Sequence, residues 1–164
     1  RAHAVHPIAD LQIEYSLISR GPEARIFPAL ESLGIGVTAY GVLSRGLLSG
    51  SRPDNKGDFR KFLPRFREAN AQQNATLVET LGKVAAAKNT SPTKLAIAWV
   101  LAKSPNIVPV MGARTRAQLS ETLAALDVQL SAEDLAEIER AIPASAVAGT
   151  RYDEHQMRML DSER

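Results

Sequence analysis

Arg45 lies between Ser44 and Gly46 in the run GVTAYGVLSRGLLSG, residues 36–50, and residues of these types bind anions. Glycines in a short loop let backbone N–H groups approach a phosphate closely, and an arginine among them adds a bidentate donor. A second such concentration is Gly112-Ala113-Arg114-Thr115-Arg116, which leads directly into a helical pattern. A helix N-terminus with free N–H groups and nearby arginines is also an anion site. Two arginines at a helix start are equally compatible with a solvated face.

Gln12 is a polar residue in the middle of the alternating run DLQIEYS, with Glu14 on the same face. That face is therefore polar, as on a solvent-facing edge strand or at a ligand site. Tyr40 ends the next strand-like run, where it is either a core aromatic or a flat stacking platform at a strand's C-terminal end. Gly34 to Ala39, GIGVTA, formally fits a dinucleotide fingerprint. It follows a helix and enters a strand, the reverse of the required context. His3 and His6 are spaced for one helical face, but no third ligand is grouped with them, and no metal site is predicted. FRKFLPRFR, residues 59–67, interleaves aromatic and basic side chains, as single-strand nucleic-acid binders do. Asp54, Asp58 and Glu68 dilute that charge, and no nucleic-acid partner is predicted.

The elements that must position these residues alternate between strand and helix, which predicts α/β architecture with parallel strands. A strand is expected over 10–16, with Leu11, Ile13 and Tyr15 on one face. Pro22 and Glu23 should open a helix over 23–33, with Ile26, Leu30 and Leu33 inward and Gly34 as its stop. A strand over 36–40 follows, then a loop over 42–66 of a length typical of functional segments. Helices are expected over 76–88 and over 93–102, the second capped by Ser91-Pro92 with Leu95, Ala98, Trp99 and Ala102 on its face. A short buried strand over 107–110 precedes a helix over 116–126 carrying Leu119, Leu123 and Leu126. Ser131 and Asp134 form a capping pair for a helix over 132–142. Residues 143–164 lack periodicity and are expected to be a loosely packed tail.

Three segments carry a resemblance to the aldo-keto reductases, which are (β/α)8 barrels that use NADPH. Gln12, Glu14, Tyr15, Ser16 and Leu17 match the family pattern Q-x-E-Y-S/N-L. Gly41 to Gly50 is similar to S-P-L-G-R-G-x-L-x-G, and Gly112, Arg114, Gln118 and Glu121 match P-G-x-[RK]-x-x-x-Q-x-x-E-N. The resemblance implies that Gln12 hydrogen-bonds the nicotinamide carboxamide and that Tyr40 stacks on the nicotinamide ring. It places Gly41, Val42, Leu43, Arg45 and Gly46 on the pyrophosphate, and Gly112, Arg114, Gln118, Glu121 and Thr122 on the 2′-phosphate and adenine. Gly41 replaces the usual serine and Val42 the usual proline, so a looser loop is expected. Met111 replaces a proline, and Thr122 replaces an asparagine whose amide would meet adenine. The family's tyrosine acid and its supporting Asp, Lys and His belong to earlier strands, so no catalytic residue is expected in this chain. Tyr15 and Tyr40 are no substitutes, since no lysine lies near either in sequence to lower its pKa.

The chain has 164 residues, 45% hydrophobic and 23% charged, enough for one real core. Three strand candidates amount to the last three βα units plus a C-terminal helix of a partial TIM barrel, against the about 250 residues of a whole one. Residues 1–164 are thus expected to form one partial domain, and an opening at Arg1 within structure suggests a fragment. Twenty basic residues against 18 acidic ones give a net charge of +2, and the pI is about 9.1. So small an excess does not favour nucleic acid. Cysteine is absent, which excludes disulfides and thiolate chemistry and is compatible with the cytoplasm. No apolar run approaches the about 18 residues of a membrane span, so no membrane partner is expected.

Two functions from different classes remain open. In the first the chain is the cofactor-gripping half of an NADPH-dependent oxidoreductase of aldehydes and ketones, inactive alone. In the second it is a non-catalytic NADP(H)-binding or interaction module that self-associates through exposed sheet edges.

Overall fold

The computed structural model describes residues 1–53 and 57–160; Asp54 and the last four residues of the expected tail lie outside them. A one-turn helix α1 (Ala2–Val5) leads to strand β1 (Asp10–Glu14), helix α2 (Ile26–Leu33) and strand β2 (Gly36–Tyr40). Helices α3 (Glu68–Ala87) and α4 (Pro92–Lys103), strand β3 (Ile107–Pro109) and helices α5 (Arg116–Leu123), α6 (Ala132–Ala141) and α7 (Glu154–Arg158) complete the order. The three strands form one parallel sheet in sequence order, β1-β2-β3. Helical crossovers between sequence-adjacent parallel strands are the repeat of a (β/α)8 barrel. The fold is α/β, a partial TIM barrel.

Register assigns each face of the sheet its role. Leu11, Val37 and Ile107 stand in one row, and Ile13, Ala39 and Pro109 in another on the same face. That face joins the core, in which Leu95, Trp99 and Val100 of α4, Leu81 and Ala85 of α3, and Ile138 of α6 are fully buried. Tyr15 packs edge-on against Phe27 at 4.7 Å and beside Trp99 at 5.4 Å. Gln12, Thr38 and Val108 form a row on the opposite face, which is open.

The middle of helix α4 is buried all round, with Leu95 through Val100 consecutively buried. Such a helix is a central element rather than an amphipathic surface one. Its Ser91 cap is as expected, with the hydroxyl accepting from the Lys94 N–H and Pro92 in the first turn. Ala102, expected on the inner face, is exposed. Gly34 ends α2 in the left-handed conformation at φ +65°, and Ser131 and Asp134 cap α6 reciprocally, both as expected.

Elsewhere the structure corrects the sequence expectations. Strand β1 stops at Glu14 because the chain turns back on itself, Ser16 and Ser19 exchanging backbone hydrogen bonds. Pro22 sits in a 3₁₀ turn (Gly21–Glu23), and α2 starts only at Ile26; Glu23 serves Tyr15, whose hydroxyl donates to it at 2.6 Å. Leu33 is exposed, not inward. The expected loop over 42–66 contains 3₁₀ turns at Leu47–Ser49, Phe59–Phe62 and Pro64–Phe66. Helix α3 begins eight residues before the expected 76 because its polar first turns are held by tertiary bonds. Asn74, fully buried there, donates to Arg65 O and Ala148 O.

The strand over 107–110 is buried only at Ile107; Val108 and Val110 are exposed on the outer strand. The helix over 116–126 breaks at Leu123 into a 3₁₀ turn, and Leu119, Leu123 and Leu126 face outward. The expected tail is anchored in its first part, where Ala148 and the buried Arg151 make the contacts described below.

Candidate functional site

Strand β2 ends at Tyr40, and the chain then coils tightly over Gly41 to Gly50. Ser44 N–H donates to Gly41 O at 2.7 Å, Gly46 N–H to Leu43 O at 3.0 Å, and Ser51 N–H to Gly46 O at 2.9 Å. Val42 is buried. The looser loop expected from Gly41 and Val42 is therefore not what forms. Gly41 adopts φ +67°, and a Cβ there would stand 3.1 Å from Glu14 Cγ, so glycine is what lets the loop pass over that carboxylate. Ser44 and Arg45 are also left-handed, at φ +47° and +56°, a conformation costing about 1–2 kcal/mol per non-glycine residue.

A cleft of about 1210 Å³ opens between this loop and the start of α5. Gly41, Val42, Leu43, Arg45, Gly46, Gly112, Arg114, Gln118, Glu121 and Thr122 line it, ten of the twelve residues expected from sequence. The other two, Gln12 and Tyr40, do not line it. They share the open face of the sheet, Gln12 in the row of Thr38 and Tyr40 one row nearer the strands' C-terminal ends.

Several side chains in the cleft are already committed. Gln118 Oε1 accepts from the Arg114 N–H at 2.8 Å and the Thr115 N–H at 3.2 Å, forming a capping box whose other half is the Thr115 hydroxyl. The α5 N-terminus is thus partly capped from within, not fully open as expected. Thr122 turns back on Gln118 O at 2.8 Å, and Glu121 accepts from Ser91 Oγ at 2.8 Å. The Arg45 guanidinium lies 3.7 Å from Glu14 and 4.7 Å over the Tyr152 ring. Arg114 is exposed at the rim, and its guanidinium pairs with no carboxylate among the described residues.

Sequence reasoning missed three contributors. Arg60 lines the cleft and donates to Asp58, Arg45 O and Ser51 Oγ; Arg60 beside Asp58 holds that carboxyl below its ordinary range. The signal was the Asp-x-Arg spacing inside a run set aside as a basic loop. Ser91 with Pro92 and Thr93 forms part of the wall, although Ser91 was read only as a cap. Glu14 is 1% exposed, accepts from Ser19 Oγ at 3.2 Å and lies 3.3 Å from Arg151. It was visible as a carboxylate in strand register, but Arg151 is far from it in sequence.

Burial pushes the Tyr15 hydroxyl well above its ordinary value, and the bond to Glu23 adds to that. Burial also raises Tyr40, helped by Tyr152 and Glu14 and opposed by Arg151. His3 Nδ1 accepts from the Ile8 N–H, a local turn contact. No helix among the described residues is long and apolar enough to cross a membrane.

Consecutive parallel βα units, with an arginine-bearing cleft at the strands' C-terminal ends, define a piece of a (β/α)8 barrel. The profile of the aldo/keto reductase family matches residues 1–143, and the chain belongs to that family. It is 40% identical over 157 residues to "Probable aldo-keto reductase 1" of Glycine max, covering 93% of this chain and 45% of that protein. The glycerol dehydrogenase AKR11B4 of Gluconobacter oxydans superposes with a TM-score of 0.76 at 28% identity, over 87% of this chain and 45% of that one. The chain therefore spans less than half the length of either relative.

Proposed function

We propose that this chain is the cofactor-binding half of an NADPH-dependent oxidoreductase that interconverts carbonyls and alcohols in the cytoplasm. The observation that carries this reading is the gathering of ten expected residues around one cleft. The cleft suits a phosphorylated dinucleotide. Arg45, Arg60 and Arg114 line it against two carboxylates, Asp58 and Glu121, which are engaged by Arg60 and Ser91.

The residues divide the work along such a ligand. The Gly41–Gly46 backbone, with Arg45, takes the pyrophosphate; Arg114 and the first turn of α5 take the 2′-phosphate. Gln12 and Tyr40, on the open face of the sheet, hold and orient the nicotinamide. NADPH supplies hydride-transfer chemistry when bound, and the proton donor comes from strands outside this chain. One relative's name, glycerol dehydrogenase, favours small hydroxylated or carbonyl compounds as substrates.

The purified 164-residue chain should bind NADPH without turning over any aldehyde. Arg114→Ala should weaken NADPH by ~1–3 kcal/mol and NADH little, as for loss of a charge-assisted hydrogen bond. Equal losses for both cofactors would show that Arg114 does not hold the 2′-phosphate. Measurable turnover would remove the division into halves. The alternative, a non-catalytic NADP(H)-binding or interaction module, is favoured by the exposed Val108, Val110 and Leu123.

A further inference from the structure

The segment at 148–152 is held against the rest of the fold at Ala148, Gly149, Arg151 and Tyr152. Ala148 exchanges two 2.9 Å hydrogen bonds with Asn74. Gly149, at φ +78°, passes so close to Pro64 that a Cβ would come within 2.9 Å of its carbonyl carbon. Arg151 is 3% exposed, with Nη1 3.3 Å from Glu14 Oε2. The same Glu14 oxygen lies 3.7 Å from Arg45 Nη2, and the Tyr152 ring lies under the Arg45 guanidinium at 4.7 Å.

These contacts converge on the strained part of the cleft loop. A non-glycine residue in the left-handed region persists only where its surroundings over-determine it. For Ser44 that surrounding is Arg65, whose Nη1 donates to Ser44 Oγ at 3.1 Å and to Ser19 Oγ at 2.9 Å. For Arg45 it is Glu14 on one side and Tyr152 on the other, and both are tied to Arg151. Packing of a tail would explain the burial of Arg151. It would not explain why its partner carboxylate is the one shared with the cleft arginine. Arg151 also lies beyond residues 1–143, the extent of the family match.

We infer that Arg151, with Glu14 and Tyr152, is a latch that fastens the tail onto the Gly41–Gly50 loop and positions Arg45 for the cofactor's phosphates. The phosphate half of this statement rests on the NADPH reading above; the latch itself does not. Arg151 is a positioning residue, acting through Glu14 and Arg45 and touching no substrate.

The test is amide hydrogen exchange on the intact 164-residue chain without ligand, followed by NADPH titration. Arg151→Gln should speed exchange about tenfold across Gly41–Gly50 and leave α4 amides unchanged, and it should weaken NADPH about tenfold, within the range of such couplings. Arg151→Lys, which keeps a cation beside Glu14, should recover most of both effects. Removing one partner of a buried pair can unfold a protein. The double variant Glu14→Gln/Arg151→Gln therefore repeats the test with the buried pair removed together; it also takes the carboxylate from the partly exposed Arg45, so it should loosen the loop at least as much as Arg151→Gln. Unchanged loop exchange in a folded variant overturns the latch, whatever happens to NADPH. A loosened loop with unchanged NADPH affinity overturns the positioning role. A wild-type chain that does not bind NADPH fails the functional reading, while its loop exchange still decides the latch.

Discussion

Ser91 Oγ donates a 2.8 Å hydrogen bond to Glu121 while accepting one from the Lys94 N–H. One hydroxyl thus caps α4 and ties α5 to it, fixing the wall of the cleft that carries Gln118, Glu121 and Thr122. The Glu121 carboxylate thereby holds the helix that follows Arg114.

Ser91→Ala should cost ~1–2 kcal/mol, the loss of a cap and of the tie together. Glu121→Ala should cost ~1 kcal/mol or less, since both groups are near solvent. In a double-mutant cycle read by urea unfolding, the two should show a coupling of about 0.5–1 kcal/mol. Strictly additive losses would mean that the bond contributes nothing and α5 is held by packing alone.

Gly41 holds a left-handed conformation, φ +67°, that glycine adopts without strain. Restoring the family's serine, Gly41→Ser, demands both a left-handed non-glycine residue and movement of Glu14, which two arginines and Ser19 hold in place. Thermal unfolding should report a loss of about 1–3 kcal/mol. Unchanged stability would show that the Glu14 side chain yields at no cost.

Local chemistry made part of this architecture legible in the sequence. Gly34, Ser91 with Pro92, and Ser131 with Asp134 mark helix ends by bonds to their own neighbours, and each forms as expected. The cleft residues were legible because they sit in two short contiguous motifs. What failed depended on distant partners. Leu119, Leu123 and Leu126 have helical spacing, yet all three remain about half exposed among the described residues. In helix α4 only Ala102 failed: it shares the helical spacing of the buried Leu95, Ala98 and Trp99 but is exposed. The anchoring of residues 148–152 needed Asn74, Pro64 and Glu14, none of them near in sequence.

Acid should weaken the contact between α3 and α6. Lys88, at the end of α3, bonds Asp134 and lies 2.9 Å from Glu137. The Lys88 ammonium, with help from Ser131, lowers the Asp134 carboxyl from its ordinary 3.8 to about 2. Because the folded value is depressed, the stabilisation is present in full above the ordinary value. It fades as pH falls from about 4 toward 2. Asp134→Asn keeps an oxygen to cap Ser131 but loses the ion pair. The melting-temperature gap between wild type and this variant should be widest near neutrality and close below pH 4. A gap that is constant down to pH 2 would assign the whole effect to the cap.

The 164-residue chain should also self-associate. Val108 and Val110 are 64% and 49% exposed on the outer strand, and Leu119, Leu123 and Leu126 are exposed apolar residues as well. The outer edge of β3 is a poor template for strand pairing. Val110 N–H points inward to Ala39 O, which puts Pro109, with no N–H, on the outward side. Association should therefore bury the exposed leucines and the valines first and engage the free edge of β1 second, since apolar patches of this kind drive contact between copies. Sedimentation over a wide concentration range should show dimers or larger species. Leu123→Glu with Val110→Lys should shift them to monomer without lowering the melting temperature, because both side chains are half exposed. A wild-type monomer independent of concentration, melting in one sharp transition, would show that these units suffice as a fold and that the exposed leucines and valines cost them nothing.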